Sequence, residues 1–164
     1  MTTLKQKIAQ LLDENPNAIT LEIAAQLEKP EGEVLLNLPD EFVKIFPAER
    51  AEEIFQTISH WGTFTTIIEK AGSIFEIKDR FPSGVTARGY YNLNMKDDEG
   101  ALHGHIKTDT IGHIAFVSIP FRGKESYNIA FIAHSGETIF KVYLGRDEKR
   151  QLFPEQVANF KAFQ

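Results

Sequence analysis

The chain has 164 residues, 18 basic and 23 acidic side chains, a formal net charge of −5 and 42% hydrophobic residues. Such a chain suits one globular domain that buries roughly 70% of its unfolded surface. The lack of cysteine excludes disulfides, zinc–thiolate sites, iron–sulfur clusters and thiol nucleophiles. The acidic balance argues against nucleic acid as a general partner. No apolar run approaches a membrane span, and the N-terminus lacks the apolar core of a signal peptide. A soluble cytoplasmic protein is expected.

Charge divides the chain in two. Residues 1–60 carry 11 acids against five bases, and residues 61–164 carry 12 acids and 13 bases. The first region reads as helices. Leu4, Ile8 and Leu11 or Leu12 recur at helical spacing until Asn15-Pro16-Asn17 stops them. Thr20 is expected to cap a second helix, with Glu22 in its first turn and Ile23 and Leu27 on its buried stripe. Pro30 opens a third at its first position, with Val34, Leu35 and Leu38 inward and Pro39 closing it. Pro47 opens a fourth, whose apolar face is Ala51, Ile54, Phe55 and Ile58.

From Trp61 the period changes to that of strands. Thr63 to Ile68, Ser73 to Lys78, Gly89 to Met95, Leu102 to Lys107, His113 to Phe121, Tyr127 to Ala133 and Thr138 to Leu144 are rich in β-branched and aromatic residues. Ala71-Gly72, Pro82-Ser83-Gly84, Asp97 to Gly100, Arg122-Gly123 and Ser135-Gly136 are the turns between them. Short turns between successive strands predict an antiparallel meander. Pro154 to Phe163 returns to helical spacing through Val157, Phe160 and Phe163. The expected fold is α+β: a helical N-terminal region (1–60), then an antiparallel β-sheet meander with a C-terminal helix (61–164), together one compact domain.

The first three helices have the order of a helix-turn-helix. Residues 28–41 hold Glu28, Glu31, Glu33, Asp40 and Glu41 against Lys29 alone, a charge that DNA phosphates would repel. The likeness is read as structural, not as DNA binding.

The β region carries the candidate chemistry. In a continuous strand, His103 and His105 of Leu102-His103-Gly104-His105 share one face. Paired imidazoles hold a metal ion or approach a haem iron; two exposed strand histidines are the plainer alternative. With Asp109 and His134 the pair superficially resembles the cupin pattern of a metal-dependent enzyme, without the rest of its spacing. No GxSxG nucleophile elbow is present. Tyr90 and Tyr91 must face opposite ways, one to the core and one to solvent. Arg88, Lys107 and Arg146 are cations suited to ligand carboxylates. Tyr127 starts an apolar strand, and its phenol is either a rim hydroxyl or a ferric-iron donor.

Five stretches resemble, in order, the HutX/ChuX-type haem utilisation carriers. They are Trp61 to Thr66, Pro82-Ser83-Gly84, Gly89 to Leu93, Gly104 to Lys107 and Leu144 to Leu152. The resemblance runs from about Leu4 to Phe163. It implies a bacterial intracellular carrier that takes haem from an uptake system and delivers it to a haem-degrading or haem-transferring enzyme. It further implies a homodimer whose fold is one half of the larger HemS/ChuS-type haem proteins, with iron held only as haem. The alternatives are haem degradation on the same surface and the cupin-like enzyme. The family histidine of the GHIK stretch falls on His105, so His105 and Tyr127 are the axial ligand candidates and His103 the second choice. Arg88, Lys107 and Arg146 are the propionate candidates. Glu69 stands where some members have a second histidine, and Thr86-Ala87-Arg88 where some have further ones. A delivery protein gains from a bond that weakens on reduction, which favours Tyr127 as ferric ligand with His105 beside it.

Overall fold

The computed structural model describes residues 1–94 and 100–164. Met95, the end of one expected strand, and Asp97 to Glu99 of one expected turn lie outside them. The N-terminal part contains α1 (Leu4–Glu14), α2 (Thr20–Leu27), α3 (Glu31–Leu36), β1 (Val43–Pro47) and α4 (Ala51–Ile58). Then follow β2 (Thr63–Lys70), β3 (Ser73–Arg80), β4 (Gly84–Ala87), β5 (Tyr90–Leu93) and β6 (Gly104–Ile106). The last elements are β7 (Ile111–Val117), β8 (Asn128–Ala133), β9 (Thr138–Leu144) and α5 (Pro154–Ala162). Six strands form one sheet in the order β1-β7-β8-β9-β2-β3, and β4-β5-β6 form a second. All the pairings are antiparallel. The fold is α+β.

The large sheet is covered on both faces. Ala115, Val117, Ala130 and Ile132 meet Ile8, Leu12, Ile23, Val34, Leu35 and Leu38 of the N-terminal helices. Ile114, Phe116, Ile129 and Phe131, which alternate with them, meet a second core that includes Phe55, Phe81 and Phe160. Two-sided burial explains why Ile129 to Ile132 reads as an unbroken apolar run. Phe55 joins the two sheets: its ring stacks on Phe131 and on Tyr91 of the small sheet, with centroids 4.8 Å apart in each case. The abundant phenylalanine therefore fixes how the small sheet is held, leaving its other face outward.

Several elements differ from the sequence reading. Val43–Pro47 is a strand, and Pro47 ends it instead of opening a helix; α4 starts at Ala51 after a single 3-10 turn. A short edge strand tolerates proline because it pairs on one side only, here with β7. Thr20 does not cap α2. Ile19 occupies the cap position, and the Thr20 hydroxyl donates to Glu31 at 2.8 Å. Gly84 belongs to β4 instead of a turn. The meander holds within two groups, β4-β5-β6 and β7-β8-β9; the β2-β3 hairpin, earlier in the chain, adds to the free edge of β9.

The helix that a DNA-binding reading would send into a groove is pressed onto the sheet. Glu31, Gly32, Val34 and Leu35 of α3 are buried. A Cβ at Gly32 would lie 2.3 Å from the Gly136 carbonyl oxygen, so only glycine allows this approach. Among the described residues no helix is long and apolar enough to cross a membrane.

Candidate functional site

The outer face of the small sheet is built by a two-residue hairpin. Ala87 pairs with Tyr90, and the connecting Arg88 and Gly89 have φ of 57° and 83°. Two left-handed residues are what a type I′ turn requires, and its twist matches the strands it joins. Arginine at the first of them holds a conformation that non-glycine residues seldom adopt. The turn thus projects a cation at the tip of the hairpin. Alternation does the rest: Tyr91 and Leu93 enter the core, while Tyr90 is 37% exposed. The two tyrosines divide as their adjacency required.

β6 completes the face. Asn92 is paired with His105, and Tyr91 with the buried Ile106. Ala87, Arg88, Tyr90, Asn92 and His105 line an open, largely apolar cavity of about 700 Å³. The rings of Tyr90 and His105 meet edge to face with centroids 6.1 Å apart. His105 Nδ1 lies 2.6 Å from Asn92 Oδ1, while its Nε2 has no partner among the described residues. Lys107 Nζ is 5.7 Å from the centre of the Tyr90 ring and 3.1 Å from Asp109 Oδ2. The cleft therefore combines an imidazole, a phenol and the Arg88 cation, with the Lys107 ammonium beside the Tyr90 ring. That donor set suits a flat, aromatic, anionic ligand with a metal at its centre.

The other candidates lie elsewhere. His103 precedes β6, which begins only at Gly104, so strand alternation does not carry it to His105's side; its Nε2 lies 3.2 Å from Asn94 Nδ2. His134 Nε2 contacts the backbone oxygen of Asp109 at 3.0 Å, and the Asp109 carboxylate is held by Lys107. Among the described residues no group of three or more His, Asp or Glu side chains is placed to hold a metal ion, so the cupin-like set does not assemble. Arg146 donates to the carbonyls of Glu125 and Arg150. Glu69 lines a separate cleft with α2 residues.

Tyr127 is only 7% exposed, packed on Phe160 in the main core, and its hydroxyl donates to Glu125. Burial, then the Glu125 carboxylate, pushes its ionisation up to about 12. A phenolate is scarce there at neutral pH. Tyr90 and Asn92 line the cleft but are not among the candidates the sequence names. The alternation of Tyr90 and Asn92 on one face is visible in it, but the pairing of Asn92 with His105 depends on a register across the poorly patterned stretch between β5 and β6.

The model of the family described as Haem utilisation ChuX/HutX matches residues 44–163. The chain belongs to this family. It is 49% identical over its whole length to the "Intracellular heme transport protein HutX" of Vibrio cholerae serotype O1, covering 84% of that protein. It is 31% identical to the solved "Heme Binding Protein ChuX", with a TM-score of 0.83, over 97% of this chain and 95% of that one. The Escherichia coli haem oxygenase ChuS is 14% identical, with a TM-score of 0.72; the alignment spans 93% of this chain and 48% of ChuS. That last likeness concerns the fold alone, and it agrees with the expected half of a ChuS-type protein.

Proposed function

We propose that this protein is a cytoplasmic haem carrier that binds haem on the outer face of the small sheet and hands it to a haem-degrading or haem-receiving enzyme. The observation that carries the reading is the cleft holding Tyr90 and His105 side by side over an apolar floor. The named activities of the HutX and ChuX relatives support it. Phenolate is a hard donor suited to ferric iron, and imidazole serves ferrous iron well. Tyr90 takes the ferric haem, and His105 takes the iron on reduction. Arg88, which makes no ion pair or hydrogen bond among the described residues, and Lys107 meet the propionates. Open access on one side favours release over long retention.

Titration of the purified protein with hemin, followed by absorption, is expected to saturate with a new spectrum. Ascorbate or a reductase added to the complex should then leave the porphyrin intact. Bleaching with release of iron or CO would replace the carrier by a haem-degrading enzyme.

The carrier is proposed to be a homodimer joined through β3. This strand is one open edge of the large sheet, and six of its eight residues are exposed, Ile74 and Phe75 each at 57%. A long unpaired edge that exposes apolar side chains invites pairing with another chain. Sedimentation velocity at micromolar concentration should give a dimer, and Phe75→Lys a monomer. A wild-type monomer would remove this interface.

A further inference from the structure

We infer that Asn92 is a positioning residue that fixes the tautomer of His105 and so presents Nε2 as the donor atom. The inference rests on the reading of His105 as an iron ligand. Its argument starts from the side-chain amide. Asn92 Nδ2 lies 3.0 Å from the Val85 oxygen, 3.3 Å from that of Ala87 and 3.2 Å from that of Tyr90. All three are carbonyl acceptors. A flipped amide would set its own oxygen against them, so the nitrogen must face the hairpin.

Asn92 Oδ1 is thereby committed to the opposite side, where His105 Nδ1 lies 2.6 Å away. Two acceptors at that distance repel. Nδ1 must carry the proton, and Nε2 keeps the lone pair. Free histidine in water favours the opposite tautomer, so the protein reverses an intrinsic preference. The backbone makes the arrangement rigid, because Asn92 and His105 are direct cross-strand partners and the turn holds the three carbonyls together. Outer partners of this kind orient a ligating imidazole and raise its basicity.

The test has a readout without haem. Long-range proton–nitrogen correlation spectra of the histidine-labelled, haem-free protein are taken at about pH 8, where an ordinary imidazole is neutral. Wild type is expected to show His105 protonated on Nδ1. Asn92→Asp keeps an acceptor for His105 but replaces the donor to the turn by an oxygen that the three carbonyls repel, so it costs stability in the hairpin; it should still keep the Nδ1–H tautomer. Asn92→Leu loses both and should revert to Nε2–H.

With ferrous haem, Asn92→Leu should lower affinity by about 10- to 100-fold, with a weakened iron–imidazole stretch in resonance Raman spectra. Asn92→Asp should stay close to wild type. An Nε2–H tautomer in the wild-type protein overturns the proposal. Equal losses in both variants also overturn it, because they would trace Asn92's effect to the turn alone. Unchanged ferrous binding in His105→Ala removes the ligand reading instead; the haem-free spectra still decide the positioning role.

Discussion

Glu31→Ala is expected to destabilise the protein by about 3–5 kcal/mol, the usual loss when one partner of a buried ion pair is removed. Glu31 and Lys141 side chains are only 6% and 13% exposed, and their charged atoms lie 2.9 Å apart. Thr20 donates a further hydrogen bond to the same carboxylate. The pair ties α3 to β9 and so holds the N-terminal helices on the sheet. Without Glu31, the Lys141 ammonium is left buried and uncompensated. A Glu31→Leu/Lys141→Met double variant should recover most of the loss, since apolar groups of similar volume often replace such pairs at little cost. Urea denaturation checks both. A shift below 1 kcal/mol in the single variant, the range of an exposed pair, would show that water reaches the site.

The pair also sets an alkaline limit. Burial by itself would lower the Lys141 pKa, but the attraction of Tyr143 and of Glu31 reverses this and raises it. A raised folded-state pKa gives stability that is whole below the unfolded lysine value of about 10.4 and is lost as pH rises through the folded value. Tyr127, pushed up to about 12, acts with the same sign from its ordinary value upward. Thermal midpoints should therefore fall from about pH 10, and less steeply in the double variant.

Local patterning revealed most elements, and long-range pairing hid the rest. The run Thr138 to Leu144 matches β9 end to end because its alternation is unbroken. Val43–Pro47 escaped notice because five residues beside a helical stretch show no period, and proline there suggests a helix start. The candidate site is half legible. His105 is named by the family motif, and the outward face of one of the two adjacent tyrosines follows from alternation. The burial of Tyr127 is not legible, because a phenol beside an acid at the start of a strand looks the same in sequence whether it is open or buried. Its neighbour in space, Phe160, is far along the chain. Asn92 was invisible as a partner of His105, since their pairing follows from how β5 and β6 meet across the intervening chain.

Combining Tyr90→Phe with His105→Ala is expected to weaken haem binding in both oxidation states by about 100-fold, or 2.7 kcal/mol. The single variants should separate the two states. Tyr90→Phe removes the only exposed phenol of the cleft, so the ferric spectrum should change from a phenolate-ligated to an imidazole-ligated form. His105→Ala should leave the ferric complex nearly unchanged and loosen the ferrous one. Tyr127→Phe should alter neither, because ligation there would require a buried hydroxyl to leave Glu125 and ionise beside that carboxylate. Tyr90 is 37% exposed on the face of the cleft, with the Lys107 ammonium 5.7 Å from its ring centre. On the proposed assignment, reduction would weaken a phenolate bond and leave the neighbouring imidazole to hold the iron, in a cleft open toward an acceptor. Titrations with hemin, with and without dithionite, read all four proteins. If Tyr127→Phe abolishes the ferric spectrum while Tyr90→Phe retains it, the ligand lies in the core and the cleft is not the haem site.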